Sequence, residues 1–131
     1  MTAFVDTHIL LRHLTGDPAE QAAAATKFLT RASKLFLADV VVAEVVYVLE
    51  FFYETPRDKT AELIRSILAF PAIAAANSAL LLRTLELYEV HRLGFANAYL
   101  VAQAESSGIG VVASWDKTID RVRTVRRVKP T

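Results

Sequence analysis

The sequence predicts an α/β fold in which a parallel sheet is flanked by helices on both faces. Two features point there: short apolar runs alternate with longer helical patterns, and only 4 Gly and 4 Pro occur, too few for a many-turned all-β sandwich or a disordered chain. The 131 residues, 53% hydrophobic, read as a single domain spanning 1–131. A chain of this length buries roughly two thirds of its unfolded surface, so its core needs neither disulfide nor structural metal.

The elements follow in order. Thr2 to Val5 forms a short strand and Thr7 to Leu14 a helix stopped by Thr15-Gly16, which sets Asp6 at the handover. Asp17 is read as an N-cap with Pro18 at the first position of an alanine-rich helix reaching about Ser33. Leu35 to Ala38 has the look of a strand buried on both faces, and Asp39 caps a helix through about Glu54. Pro56 and Asp58 open a helix ending at Phe70-Pro71. Ala72 to Ala76 is a weak strand, and Asn77-Ser78 caps a helix to about Arg92. Gly94 and Gly108 bracket a helix from Phe95 to Ser107. Ile109 to Ser114 and Val122 to Val128 are the last strands, separated by a short helical turn.

Several function classes fall away. With no cysteine, zinc-finger and thiol chemistry are excluded. His8, His13 and His91 lack partners at metal-ligand spacing, and no nucleophile elbow or Gly-rich phosphate loop is present. Asp6 interrupts the N-terminus before a signal sequence can develop. Asp39, Glu44 and Glu50 interrupt the apolar window from Leu35 to Tyr53, so a cytoplasmic protein without a membrane span is expected.

Charge is unevenly placed. Residues 117 to 131 carry six basic residues against Asp120 alone, a balance of +5 in a chain of net +1, which leaves −4 on the remainder. Arg121, Arg123, Arg126 and Arg127 supply most of this basic segment and are candidates for meeting the phosphates of a polyanion. A solvated terminal strand whose basic residues protect its edge is the structural alternative.

Three acids fall near strand ends, where the crevice of an open α/β sheet lies. Asp6 ends the first strand, Glu44 lies early in the helix after the second, and Asp116 follows the run Val111-Val112-Ala113-Ser114. Crowded carboxylates repel, so a cluster of them calls for a cation, and hard oxygen donors favour Mg²⁺ or Mn²⁺. Asp6 and Asp116 also read as caps. Glu44, set among valines, is expected to be buried and to need a cation or an arginine.

Four segments carry a resemblance: Phe4-Val5-Asp6-Thr7-His8, Asp39-Val40-Val41-Val42-Ala43-Glu44, Gly94-Phe95-Ala96-Asn97-Ala98 and Ser114-Trp115-Asp116-Lys117. In this order they resemble the PIN domain, and in size the chain is similar to the VapC toxins of type II toxin–antitoxin modules. The resemblance implies a PIN-like three-layer fold with a four-stranded parallel sheet and a divalent-metal-dependent endoribonuclease. It implies a homodimer silenced by a cognate antitoxin. Asp6, Glu44 and Asp116 match family acids, Ser114 the small hydroxyl residue before the last of them, and Asp120 an auxiliary acid. Asn97 stands where the family usually has a further aspartate. Its amide oxygen can still ligate a metal alongside Asp6 and Asp116, at the loss of one negative charge.

A PIN module that has lost catalysis and binds RNA or a protein is the alternative reading. A smaller one is a phosphotransfer receiver with Lys117 as its phosphate-binding lysine. The apolar helix after Asp39, with Val45-Val46, Val48-Leu49 and Phe51-Phe52-Tyr53, and the run Leu80-Leu81-Leu82 predict surface covered by a second copy or an antitoxin.

Overall fold

The computed structural model describes residues 1–131, which divide into two compact units, Met1–Ser78 and Ala79–Thr131. In the first unit, β1 (Thr2–Phe4), β2 (Lys34–Leu37) and β3 (Ile73–Ala75) form a parallel sheet in that order. Leu35 and Leu37 are buried, and Leu35 pairs in register with Ala3 on one side and Ile73 on the other. That central position is what a short, apolar run suits.

Helix α1 (Thr7–Thr15) ends at Gly16, whose φ of 70° is the left-handed conformation glycine adopts without strain. Helix α2 (Ala19–Arg31) packs against α1, with Ala22, Ala25 and Leu29 buried. Across this pair the Arg12 Nε donates to Gln21 at 2.7 Å, and His13 Nδ1 meets Thr26 Oγ1 at 2.7 Å. His13 is half-buried with its ring edge-on to Phe70, and burial lowers its pKa, so it is not the surface residue its sequence position suggests. The cap of α2 also differs from expectation. Pro18 occupies it and Asp17 does not bond to the helix; the Asp17 carboxylate instead accepts from the Tyr53 hydroxyl at 3.4 Å.

Helix α3 (Asp39–Phe51) is amphipathic, with Val42, Val45, Val46 and Leu49 buried at helical spacing. Of the residues predicted to be covered by a second chain, Val45, Val46 and Leu49 are already buried and Val48 is half-buried. Val40, Tyr47, Phe51 and Phe52 are the side chains left in solvent, with Tyr47 and Phe51 in ring contact at 4.7 Å. Helix α4 (Arg57–Leu68) packs on α3 and leads into β3.

The second unit contains α5 (Ser78–Glu89, whose first residue closes the first unit), α6 (Phe95–Ser107), β4 (Val111–Ala113), a 3₁₀ turn over Lys117–Arg121, and β5 (Arg126–Val128). Leu81 is buried and Leu82 exposed, so the leucine run splits between core and surface. Gly108 terminates α6 at φ 79°. Arg83 on α5 clasps Glu105 on α6 with two parallel bonds of 2.8 Å and also bonds Glu86, while Thr124 donates to the same Glu105. The Arg83 bonds hold the Glu105 carboxyl below its ordinary range. Strand β5 is shorter than the predicted Val122–Val128, because Val122 closes the 3₁₀ turn by donating to Ile119.

The predicted single four-stranded sheet is not what the ladders form. Hydrogen bonds join β1–β2–β3 in the first unit and β4–β5 in the second, both parallel. Alternation of strands and helices dictates the parallel direction, but edge-to-edge pairing depends on long-range contacts that strands of this length encode weakly.

Candidate functional site

In the second unit, three predicted site residues, Asn97, Ser114 and Asp116, are organised around the Asp116 carboxylate. Asp116 caps the 3₁₀ turn, its Oδ1 accepting from the Thr118 backbone N–H at 2.9 Å and from the Thr118 hydroxyl at 2.7 Å. Its Oδ2 accepts from the Asn97 amide at 2.7 Å. The Asp116 N–H donates to Ser114 Oγ at 2.9 Å, which fixes the turn from the other side. These bonds, Thr118 first and then Asn97, hold the Asp116 carboxyl below its ordinary range. The sequence brings the groups together because Asn97 lies in the first turn of α6 and Asp116 follows β4.

Sequence reasoning missed Thr118. The signal was present, since a hydroxyl two residues after an aspartate is the spacing of local side-chain and backbone bonding at a turn. Asp120, expected as an auxiliary acid, is engaged by the Arg127 guanidinium through two bonds of 3.0 Å, which lower its pKa. Arg127 also donates to the Ser114 carbonyl at 3.0 Å, and Arg121 to the carbonyls of His91 and Arg92. Two of the four arginines expected to contact RNA thus have partners within the chain, whereas Arg123 and Arg126 are exposed.

In the first unit, Asp6 caps α1 by accepting from the His8 N–H at 3.4 Å, and its carboxylate is exposed beside the His8 ring. Glu44 is exposed on α3, contrary to the burial expected from its apolar neighbours. The reason is rotation around the helix: the buried stripe passes through positions 42, 45, 46 and 49 and leaves 44 outside it.

The donor set has the chemistry a hard cation takes. Asp6 and Glu44 offer exposed carboxylates, and Asp116, with three bonds accepted, retains about one oxygen lone-pair position. The Asn97 amide, with its nitrogen committed to Asp116, leaves its oxygen as an acceptor. Neither unit gathers three or more acidic or histidine side chains closely enough to hold a metal ion by itself.

Comparison with known proteins gives one family. The PIN domain model matches residues 3–125, through both units. Among solved structures, the crystal structure of VapBC2 from Rickettsia felis bound to a DNA fragment from their promoter is similar at 13% identity, with a TM-score of 0.40 over 98% of each chain. No curated protein matches the chain. No helix is long and apolar enough to cross a membrane.

Proposed function

The chain belongs to the PIN-domain family, and on that premise we propose that it is a divalent-metal-dependent endoribonuclease of the VapC type, the toxin of a toxin–antitoxin pair. The observation that carries this reading is the presence of three carboxylates, Asp6, Glu44 and Asp116, in segments that resemble family motifs and within the span the family model matches. A scaffold kept only for shape has no need of all three. The single-domain reading rests on the same span.

On this reading the candidate ligands for Mg²⁺ or Mn²⁺ are Asp6 and Glu44 in the first unit, and Asp116 with the neutral Asn97 oxygen in the second. When bound, such a cation supplies Lewis acidity toward a phosphodiester oxygen and a nearby water. The chain's own residues do the rest. Thr118 and Asn97 fix the orientation of Asp116 before substrate arrives, which lowers the reorganisation needed for reaction. Glu44, exposed and carried on a packed helix, would serve as the general base on this reading. Arg123 and Arg126 attract the RNA backbone. In the cell the protein would act in the cytoplasm as a homodimer, restrained by its antitoxin.

The Asn97–Asp116 hydrogen bond favours a second reading, since it relieves the Asp116 charge without a cation. On that reading the chain is a non-catalytic PIN module that binds RNA or a protein. Calorimetry with Mn²⁺ on wild type and Asp6→Ala, beside cleavage of a mixed RNA pool, separates the two. The nuclease requires binding that Asp6→Ala loses, together with metal-dependent cleavage. Equal binding in both forms with no cleavage leaves the module.

A further inference from the structure

Trp115 is the only tryptophan in the chain, and 68% of its surface faces solvent. Tryptophan is highly buried on average, so an indole left in water beside a candidate acid calls for a ligand. Its backbone is well anchored. The Ser114 N–H donates to the Val128 carbonyl at 3.0 Å and the Asp116 N–H to Ser114 Oγ at 2.9 Å, which fixes the residues on either side.

Two exposed lysines lie close along the backbone: Lys117, two residues on, and Lys129, which follows the strand residue that receives the Ser114 bond. A protein partner seeking a hydrophobic anchor has no use for two cations beside it. A single-stranded nucleic acid carries both complements, a π-face on each base and a phosphate between successive bases, whereas a duplex hides its base faces in the stack.

We propose that Trp115 is a stacking platform for one base of a single-stranded nucleic acid, with Lys117 and Lys129 taking the adjacent phosphates. The inference rests on the RNA reading given above and adds to it a base subsite one residue from Asp116. It requires no catalysis and no metal.

The test uses the full chain with two 2′-O-methyl RNA hexamers that cannot be cleaved through their 2′-oxygens, an oligoadenylate and an abasic chain of equal charge. Trp115 emission reports directly, because no other tryptophan contributes. The oligoadenylate is expected to quench it saturably and the abasic chain to leave it unchanged. In anisotropy titrations, Trp115→Ala should weaken the oligoadenylate about tenfold, the order of loss expected for one stacked base, with Trp115→Phe intermediate and the abasic chain unaffected. Oligoadenylate binding that ignores Trp115→Ala and leaves emission unchanged overturns the stacking role while RNA binding stands, and gives the ring to a protein partner. If neither hexamer binds wild type, the RNA reading itself fails and the subsite with it.

Discussion

The Asn97 amide donates to the Asp116 carboxylate at 2.7 Å. At that separation two carboxylates would repel, and the bond places a neutral donor where the family usually has an acid. Asn97→Asp should therefore lower stability in EDTA by on the order of 1 kcal/mol, as a bond is exchanged for repulsion. Mn²⁺ should restore the loss, and RNA cleavage should rise. Thermal unfolding and cleavage assays across a Mn²⁺ series check this, with Asp6→Ala as the blank. A variant as inactive as that blank, binding Mn²⁺ no better than wild type, rejects the metal site.

Thr118 contributes to the acid limb of stability, beside the partners that lower the pKa values of Glu105 and Asp120. A carboxyl with a depressed folded pKa adds stability that is present above its unfolded pKa and is lost as pH falls through the folded value. For Asp116 the loss falls below the ordinary carboxylate range, with the Thr118 bonds the largest cause. Thr118→Val removes the hydroxyl bond and keeps the backbone one, so acid unfolding should begin at higher pH than in wild type. Thr118→Ser should largely restore it. Circular dichroism during acid titration reads the difference.

Glu44 lies outside the buried stripe of α3, so Glu44→Gln should change unfolding free energy by less than about 0.5 kcal/mol while abolishing RNA cleavage. Leu49→Ala, in the stripe, should cost about 2–5 kcal/mol. Denaturant titrations of both, with activity measured alongside, separate chemistry from packing. Undiminished cleavage by Glu44→Gln would remove that residue from the mechanism.

The exposed arginines should govern RNA affinity. Arg123→Glu with Arg126→Glu should weaken binding of the 2′-O-methyl oligoadenylate, measured in EDTA so that no metal-dependent cleavage occurs, and reduce its salt slope by about 0.7 for each phosphate no longer neutralised. Arg127→Ala should act chiefly on stability, because its guanidinium is committed to Asp120 and the Ser114 carbonyl. Affinity measured from low to moderate salt distinguishes them. An unchanged slope in the double variant returns the basic segment to a structural role.

Self-association should depend on Tyr47 and Phe51, whose rings meet on the solvent side of α3. Replacing both with serine should leave the buried stripe intact and shift a dimer to monomer in light scattering at tens of micromolar. A wild-type protein already monomeric and soluble at that concentration counts against the homodimer.

Much of the local structure was legible in the residues because local rules decide it. Gly16 and Gly108 end helices where a left-handed residue is wanted, and Gly94 and Gly108 bracket α6. The apolar run from Leu35 gave β2 its place, and Asp6 and Asp116 cap the turns that follow their strands. Less legible were features set by rotation or distant partners. Neighbouring valines suggested burial for Glu44, but helical phase turned it outward. The Asp17 carboxylate went to Tyr53 and Arg127 to Asp120 and Ser114, choices that depend on which segments meet. The exposure of Trp115 became visible only with the turn in place.

The clasp between Arg83 and Glu105 reaches past the two helices it joins. Thr124, just ahead of β5, shares the same carboxylate, so α5, α6 and the C-terminal segment hang on one acid. Loosening α6 strips bonds from both of the others. In native-state hydrogen exchange their amides should open together as one cooperative block, and Glu105→Gln should lower the opening energy of all three segments.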